Sequence, residues 1–193
     1  MQVICFGDSN TYGYDPRSYL GGRYGPRGRW VDLLAAETGW TVRNWGANGR
    51  TIPAAMPPLP PDTDLLVVML GTNDLLQGRG PEEAAGRLEQ LLAGVRLPRD
   101  HLLLIAPPPL ARGAWVRDAA LIGASRAFAR CCRTLAERLG IHFADAGAWG
   151  VPLAYDGVHF TEQGHRAFAA GLLGALGRGA PASDNGFHKE RAE

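Results

Sequence analysis

Four short segments of this sequence gather small polar residues where an apolar run ends or a helical stretch begins. They are Gly7-Asp8-Ser9-Asn10, Gly46-Ala47-Asn48-Gly49, Gly71-Thr72-Asn73-Asp74 and Asp156-Gly157-Val158-His159. Nucleophilic cleavage of an ester needs a hydroxyl to attack the carbonyl, a base to take its proton, a group to orient that base, and donors aimed at the developing oxyanion. Each has a candidate. Ser9 supplies the hydroxyl, and Gly7 lets the chain turn sharply enough to present it. His159 is the candidate base, since a neutral imidazole accepts a proton near physiological pH. Asp156, three residues earlier on the same loop, can reach the far ring nitrogen and fix the tautomer. The backbone N–H groups of Ser9 and Gly46 and the side-chain amide of Asn73 are the expected oxyanion donors.

Taken singly, these signals are weak. Gly-Asp-Ser after a strand is as often a capped turn as a nucleophile, and an Asn in such a loop more often closes an Asx-turn. His165, near the start of the last helix, reads as a capping or solvated group. Asp8 adjoins Ser9 in a tight turn and points away from it, so Asp156 is the better acid. Asp74 reads as a brace for its own loop. Arg50 pairs with a carboxylate near the site, contacts a polar substrate, or is a surface charge. Asn10, Tyr12, Asn48, Pro108, Trp115 and Val158 are the expected substrate contacts. The bulk of Tyr12, Tyr14, Pro108 and Trp115 would wall off long acyl chains, unless these residues only pack a loop. A metal site of Asp156, His159 and His165 lacks any recognised ligand spacing, so no metal and no cofactor are expected.

The elements that must position these residues alternate between strand and helix. Val3-Ile4-Cys5-Phe6 is too short for a helix and stops at Gly7, as a buried strand would. Trp30, Leu33, Leu34 and Glu37 fall at helical spacing before Gly39, and Thr41 to Trp45 reads as a second strand. Pro53 to Asp62 is too rich in proline for regular structure. Leu65 to Leu70 is apolar at every position, as a central parallel strand must be. Pro81 with Glu82 and Glu83 opens a helix whose core stripe is Leu88, Leu91, Leu92 and Val95. His101 to Ala106 is a fourth strand. Leu121, Ser125, Phe128, Cys132, Leu135 and Leu139 mark one face of a long helix closed by Gly140. Ile141 to Ala144 is a fifth strand, and Thr161 to Leu176 a last helix with Phe168, Leu172 and Leu176 inward. Such alternation predicts a parallel sheet covered by helices on both faces, with functional loops at the carboxyl ends of the strands.

Composition narrows the classes. The 193 residues suit one domain, expected over residues 1–179, with a polar, aperiodic tail over 180–193 expected to be disordered. Twenty Lys plus Arg against 19 Asp plus Glu give a net charge of +1, no footprint for nucleic acid or an anionic membrane, so a small-molecule ester is the expected partner. The three cysteines, two adjacent at Cys131 and Cys132, make a poor disulfide framework and read as free thiols, with Cys132 as core filler. With no signal peptide or membrane-spanning stretch seen, a cytoplasmic location is expected.

The four blocks together resemble the SGNH hydrolases, also called GDSL esterases, from the N-terminus to about Leu176. The family's Ser, Gly, Asn and His blocks appear as Ser9, Gly46, Asn73 and His159. The resemblance implies a three-layer α/β/α, flavodoxin-like fold with a five-stranded parallel sheet, a metal-free Ser-His-Asp mechanism and an oxyanion hole of the three named donors. Asn10 stands where Leu is common, and Thr11 follows where the larger α/β-hydrolases place a second Gly. Cys5 to Ser9, Gly46 with Arg50-Thr51, Met69 to Asp74, Pro107-Pro108-Pro109-Leu110 and His159-Phe160-Thr161-Glu162 look like the arylesterase-like branch. That branch implies cleavage of small acyl esters, commonly acetates, including those of carbohydrates or small metabolites, with some acyl transfer to alcohols. Its members often assemble through loops over the site, so a homo-oligomer is a further expectation. Two readings stay open beside it: a flavodoxin-like binding module without chemistry, and a lysophospholipase- or thioesterase-type hydrolase for longer chains.

Overall fold

The computed structural model describes residues 1–18 and 20–179. The tail over 180–193, expected to be disordered, lies outside the described residues.

Five parallel strands form the sheet: β1 (Gln2–Gly7), β2 (Thr41–Gly46), β3 (Leu65–Met69), β4 (Leu102–Ala106) and β5 (His142–Asp145). Their order across the sheet is β2-β1-β3-β4-β5. Every residue of β3 and β4 is buried, which is why those segments read as unbroken apolar runs. β2 lies at an edge and alternates in exposure over Thr41, Val42 and Arg43.

Because side chains alternate across a strand, the sheet feeds two cores. Ile4, Phe6, Leu66, Val68 and Leu104 pack with Leu88, Leu91, Phe128, Cys132 and Leu135 from α4 (Pro81–Ala93) and α5 (Ala119–Leu139). On the opposite face Val3, Cys5, Val67, Met69 and Ile105 pack with Trp30, Leu34, Phe168 and Leu172 from α2 (Trp30–Thr38) and α6 (Glu162–Gly179). This is the three-layer arrangement the sequence implies. Each fully buried Leu or Phe on these faces contributes about 1.5–3 kcal/mol relative to exposure. The helix boundaries follow their local chemistry: Pro81 opens α4, the Asp118 carboxylate accepts the Ala120 N–H at the start of α5, and Gly39 and Gly140 end α2 and α5 in the left-handed conformation.

Two short helices escape the periodicity: α1 (Ser9–Tyr12) after β1, and α3 (Thr72–Leu76) after β3. His101 closes a 3-10 turn over Arg99–His101 and lies outside β4. His165 is not solvated: α6 turns it into the interior, where it is 0% exposed between the rings of Tyr24 and Phe160, and its Nδ1 accepts the N–H of Trp30, the first residue of α2, at 3.5 Å. Burial drives its pKa down to about 3, with Arg29 and His159 acting in the same direction.

Candidate active site

β1 lies at the point where the chain crosses to β2 on one side and β3 on the other, the place where parallel α/β sheets open a crevice at their carboxyl edge. A Cβ on Gly7 would fall 2.1 Å from Thr11 Oγ1 and 2.8 Å from the Met69 carbonyl, so only glycine lets the chain fold back here. Asp8 caps α1 by accepting the Asn10 N–H at 3.0 Å. Ser9 becomes its first residue, 5% exposed.

The loop before α6 brings His159 over Ser9. His159 Nε2 lies 3.0 Å from Ser9 Oγ, and His159 Nδ1 lies 2.6 Å from Asp156 Oδ2. The second carboxylate oxygen of Asp156 accepts the N–H groups of Val158 and His159, both at 2.9 Å. Burial alone would raise the Asp156 pKa, but the hydrogen bonds from the His159 ring and the two N–H groups outweigh it, and the carboxyl lies below its ordinary value. An ionised Asp156 requires Nδ1 to donate, which leaves Nε2 as the acceptor for the Ser9 hydroxyl. Asp8, by contrast, is pushed up to about 6 by burial, partly opposed by the Asn10 N–H and by nearby His159 and Arg50.

The loop that carries Asp156 and His159 is fixed from one side by residues 111–115. The N–H groups of Ala111, Ala114 and Trp115 donate to the carbonyls of Gly157, Tyr155 and Asp156 at 3.0, 3.0 and 3.1 Å. Trp115 thereby sets its ring edge-on to His159, with centroids 5.1 Å apart, while Tyr14 lies 4.6 Å away.

The expected donors fare differently. Among the described residues the Ser9 N–H meets no acceptor, as befits the first residue of a helix. Asn73 Nδ2 donates to the Arg50 carbonyl at 3.0 Å, which places the Asn73 amide beside the loop after β2. The expectation for Gly46 requires correction, because its N–H is donated to Asn44 Oδ1 at 2.9 Å. Gly46 serves packing instead. A Cβ there would stand 2.0 Å from the Tyr12 nitrogen, so its hydrogen side chain lets α1 lie against β2. Three residues on, Gly49 is exposed at φ +70°, and among the described residues its N–H meets no acceptor. The Asn48-Gly49 dipeptide, a turn signal in its own right, could have pointed to it.

Two of the expected substrate contacts are also displaced. Asn10 and Val158 are each 4% exposed. Asn10 spends its carboxamide on the Val158 carbonyl and the Phe160 N–H, and the Val158 side chain packs with Leu110 and Val116. Tyr12 carries the Arg23 guanidinium over its ring at 4.4 Å, and Pro108 lines a small cavity with Thr72, Leu75, Leu110, Ser125 and Phe128. Asn48 is exposed, and Trp115 borders His159.

The remaining polar residues brace the loops. Arg50 donates to the Gly7 and Trp45 carbonyls and covers the Phe6 ring, so it ties the ends of β1 and β2. Buried Asp74 accepts the Ile52 N–H at 2.9 Å and meets Arg79 and Arg87 at 3.4 and 3.6 Å. Asp156 and His159 meet at 2.6 Å, but among the described residues no three His, Cys, Asp or Glu side chains, His165 included, are grouped to hold a metal ion. No helix of the described residues is long and apolar enough to cross a membrane.

Comparison with known proteins gives this geometry a context. The GDSL-like Lipase/Acylhydrolase family model matches residues 5–167. A carbohydrate acetylesterase family member from Sinorhizobium meliloti superposes with a TM-score of 0.76 at 28% identity, over 91% of this chain and 96% of that one. The M. smegmatis aryl esterase gives 0.78 at 26% identity, over 92% and 99%. A protein of Agrobacterium tumefaciens gives 0.75 at 31% identity, over 92% and 99%. No curated protein matches the chain.

Proposed function

Because the chain belongs to the GDSL-like lipase/acylhydrolase family, we propose that it hydrolyses short-chain carboxylic esters, acetyl esters foremost, through an acyl-enzyme on Ser9. The observation that carries this reading is the unbroken line from Ser9 Oγ to His159 Nε2 at 3.0 Å and from His159 Nδ1 to Asp156 at 2.6 Å.

In the first half-reaction Ser9 Oγ bonds to the carbonyl carbon while His159 Nε2 takes the hydroxyl proton. The carbonyl electron pair moves onto oxygen, where the Ser9 N–H, the Gly49 N–H in place of Gly46, and the Asn73 amide meet it. As the intermediate collapses, the C–O bond to the alcohol breaks and His159 returns the proton to the leaving oxygen. Water then repeats the sequence on the acyl-enzyme, giving up a proton to His159, and the carboxylic acid departs as Ser9 regains its hydrogen. Asp156 stays ionised and holds the imidazolium in place.

The aromatic rings of Tyr14 and Trp115 beside His159 support a preference for small acyl groups, and the resemblance to the arylesterase-like branch is what favours an alcohol as an alternative acceptor of the acyl group. An acetylated carbohydrate or small metabolite is the substrate class we favour, in line with the acetylesterase relative. Ser9→Ala is expected to reduce p-nitrophenyl acetate turnover to background while circular dichroism stays unchanged. Across acetyl, butyryl and octanoyl esters, kcat/KM should be highest for acetyl. Octanoyl preference would favour a long-chain lipolytic role, and an unreactive Ser9 towards an organophosphonate would favour a binding module.

A further inference from the structure

Ser9 has a neighbour whose every polar group is committed. Asn10 donates its N–H to Asp8 Oδ1 at 3.0 Å, and its carbonyl accepts the indole N–H of buried Trp30 at 3.0 Å. Its Nδ2 donates to the Val158 carbonyl at 3.1 Å, and its Oδ1 accepts the Phe160 N–H at 2.9 Å. The last two bonds grip the main chain on either side of His159, as a neighbouring strand would. A buried carboxamide carries a desolvation cost unless both ends are paired, and here both are.

The rest of the His159 loop is bonded elsewhere. Ala154 donates to the His159 carbonyl at 2.7 Å, Asp156 holds the His159 N–H, and residues 111–115 hold the stretch before it. Among the described residues, three hydrogen bonds join segment 8–12 to segment 152–161: the two from the Asn10 carboxamide and the one between Ser9 Oγ and His159 Nε2. The third is lost whenever Ser9 is acylated. Of the three, the Asn10 pair then remains to tie the base to the nucleophile.

We propose that Asn10 is a positioning residue whose carboxamide, by bonding the backbone on both sides of His159, holds the imidazole in register with Ser9 through acylation and deacylation. The proposal rests on Ser9 and His159 being nucleophile and base. A misplacement of about 1 Å between such groups costs on the order of 100-fold in rate.

Two variants with the same branched side-chain skeleton test it with p-nitrophenyl acetate. Asn10→Leu removes both bonds, and kcat should fall about 10- to 100-fold with KM unchanged within about twofold. Asn10→Asp restores a donor and an acceptor while its carboxyl is protonated and loses the donor on ionisation. The ratio of its kcat to that of the wild type should therefore fall as pH rises from about 6 to about 9, whereas the Asn10→Leu ratio stays low and flat. Folded Asn10→Leu with wild-type kcat, or an Asn10→Asp kcat equal to that of the wild type at every pH, would overturn the proposal. If Asn10→Leu does not fold, the Asn10→Asp ratio decides alone. Ser9→Ala in the same assay separates the two levels: surviving turnover removes the underlying reading, whereas lost turnover beside an unimpaired Asn10→Leu removes only the clamp.

Discussion

A serine hydroxyl is a poor nucleophile until a base stands within hydrogen-bonding reach, and the 3.0 Å separation from His159 Nε2 supplies that reach. The imidazole in turn owes its tautomer to Asp156. Asp156→Asn would keep the volume and one acceptor but let the ring settle in the wrong tautomer. Turnover of p-nitrophenyl acetate should fall by about 10³- to 10⁴-fold with little change in KM, and a loss below tenfold would deny Asp156 its orienting role. At this scale the sequence was readable where a residue type has few other uses. It failed where the answer depends on direction. Gly46 and Gly49 look alike in the sequence, yet the Asn44 side chain takes the N–H of the first and leaves the second exposed. Asn10 looked like a substrate contact because nothing local shows that its amide meets backbone 148 and 150 residues away.

Among the elements, those with a strong period were legible and those without one were not. Central strands buried on both faces announce themselves as apolar runs, and α4 and α5 carry clear stripes with their caps. The four residues of α1 and five of α3 are too few to show a period, though these two helices carry Ser9 and Asn73. His165 gives no sign of its burial in the sequence, because a histidine's hydropathy does not say which side of an amphipathic helix it takes. Its burial has a measurable consequence. With the folded pKa near 3, below its unfolded value, the unfolded chain binds the extra proton as pH falls from about 6.5. The stability from neutral His165 is thus complete above about pH 6.5 and lost towards pH 3, at up to about 1.4 kcal/mol per pH unit. Asp8, raised to about 6, contributes the opposite slope over its own range, since its stabilising neutral form is lost as pH rises. Urea unfolding of His165→Leu between pH 7 and 4 should show a flatter loss of stability than the wild type. An unchanged slope would mean that His165 is not the group responsible.

For the molecule as a whole, the order β2-β1-β3-β4-β5 brings segments from near residues 9, 49, 73 and 159 to one edge of one sheet. Alternation of strands and helices predicted that convergence, and the family match over residues 5–167 agrees with it. The most direct test of the central claim is the mass of the enzyme itself. A reaction with p-nitrophenyl acetate, run in chelator and quenched in acid before deacylation, should yield a protein heavier by one acetyl group, mapped to the peptide containing Ser9 and absent from Ser9→Ala. Sustained turnover with no adduct at Ser9, or with the acetyl group on another residue, would contradict it.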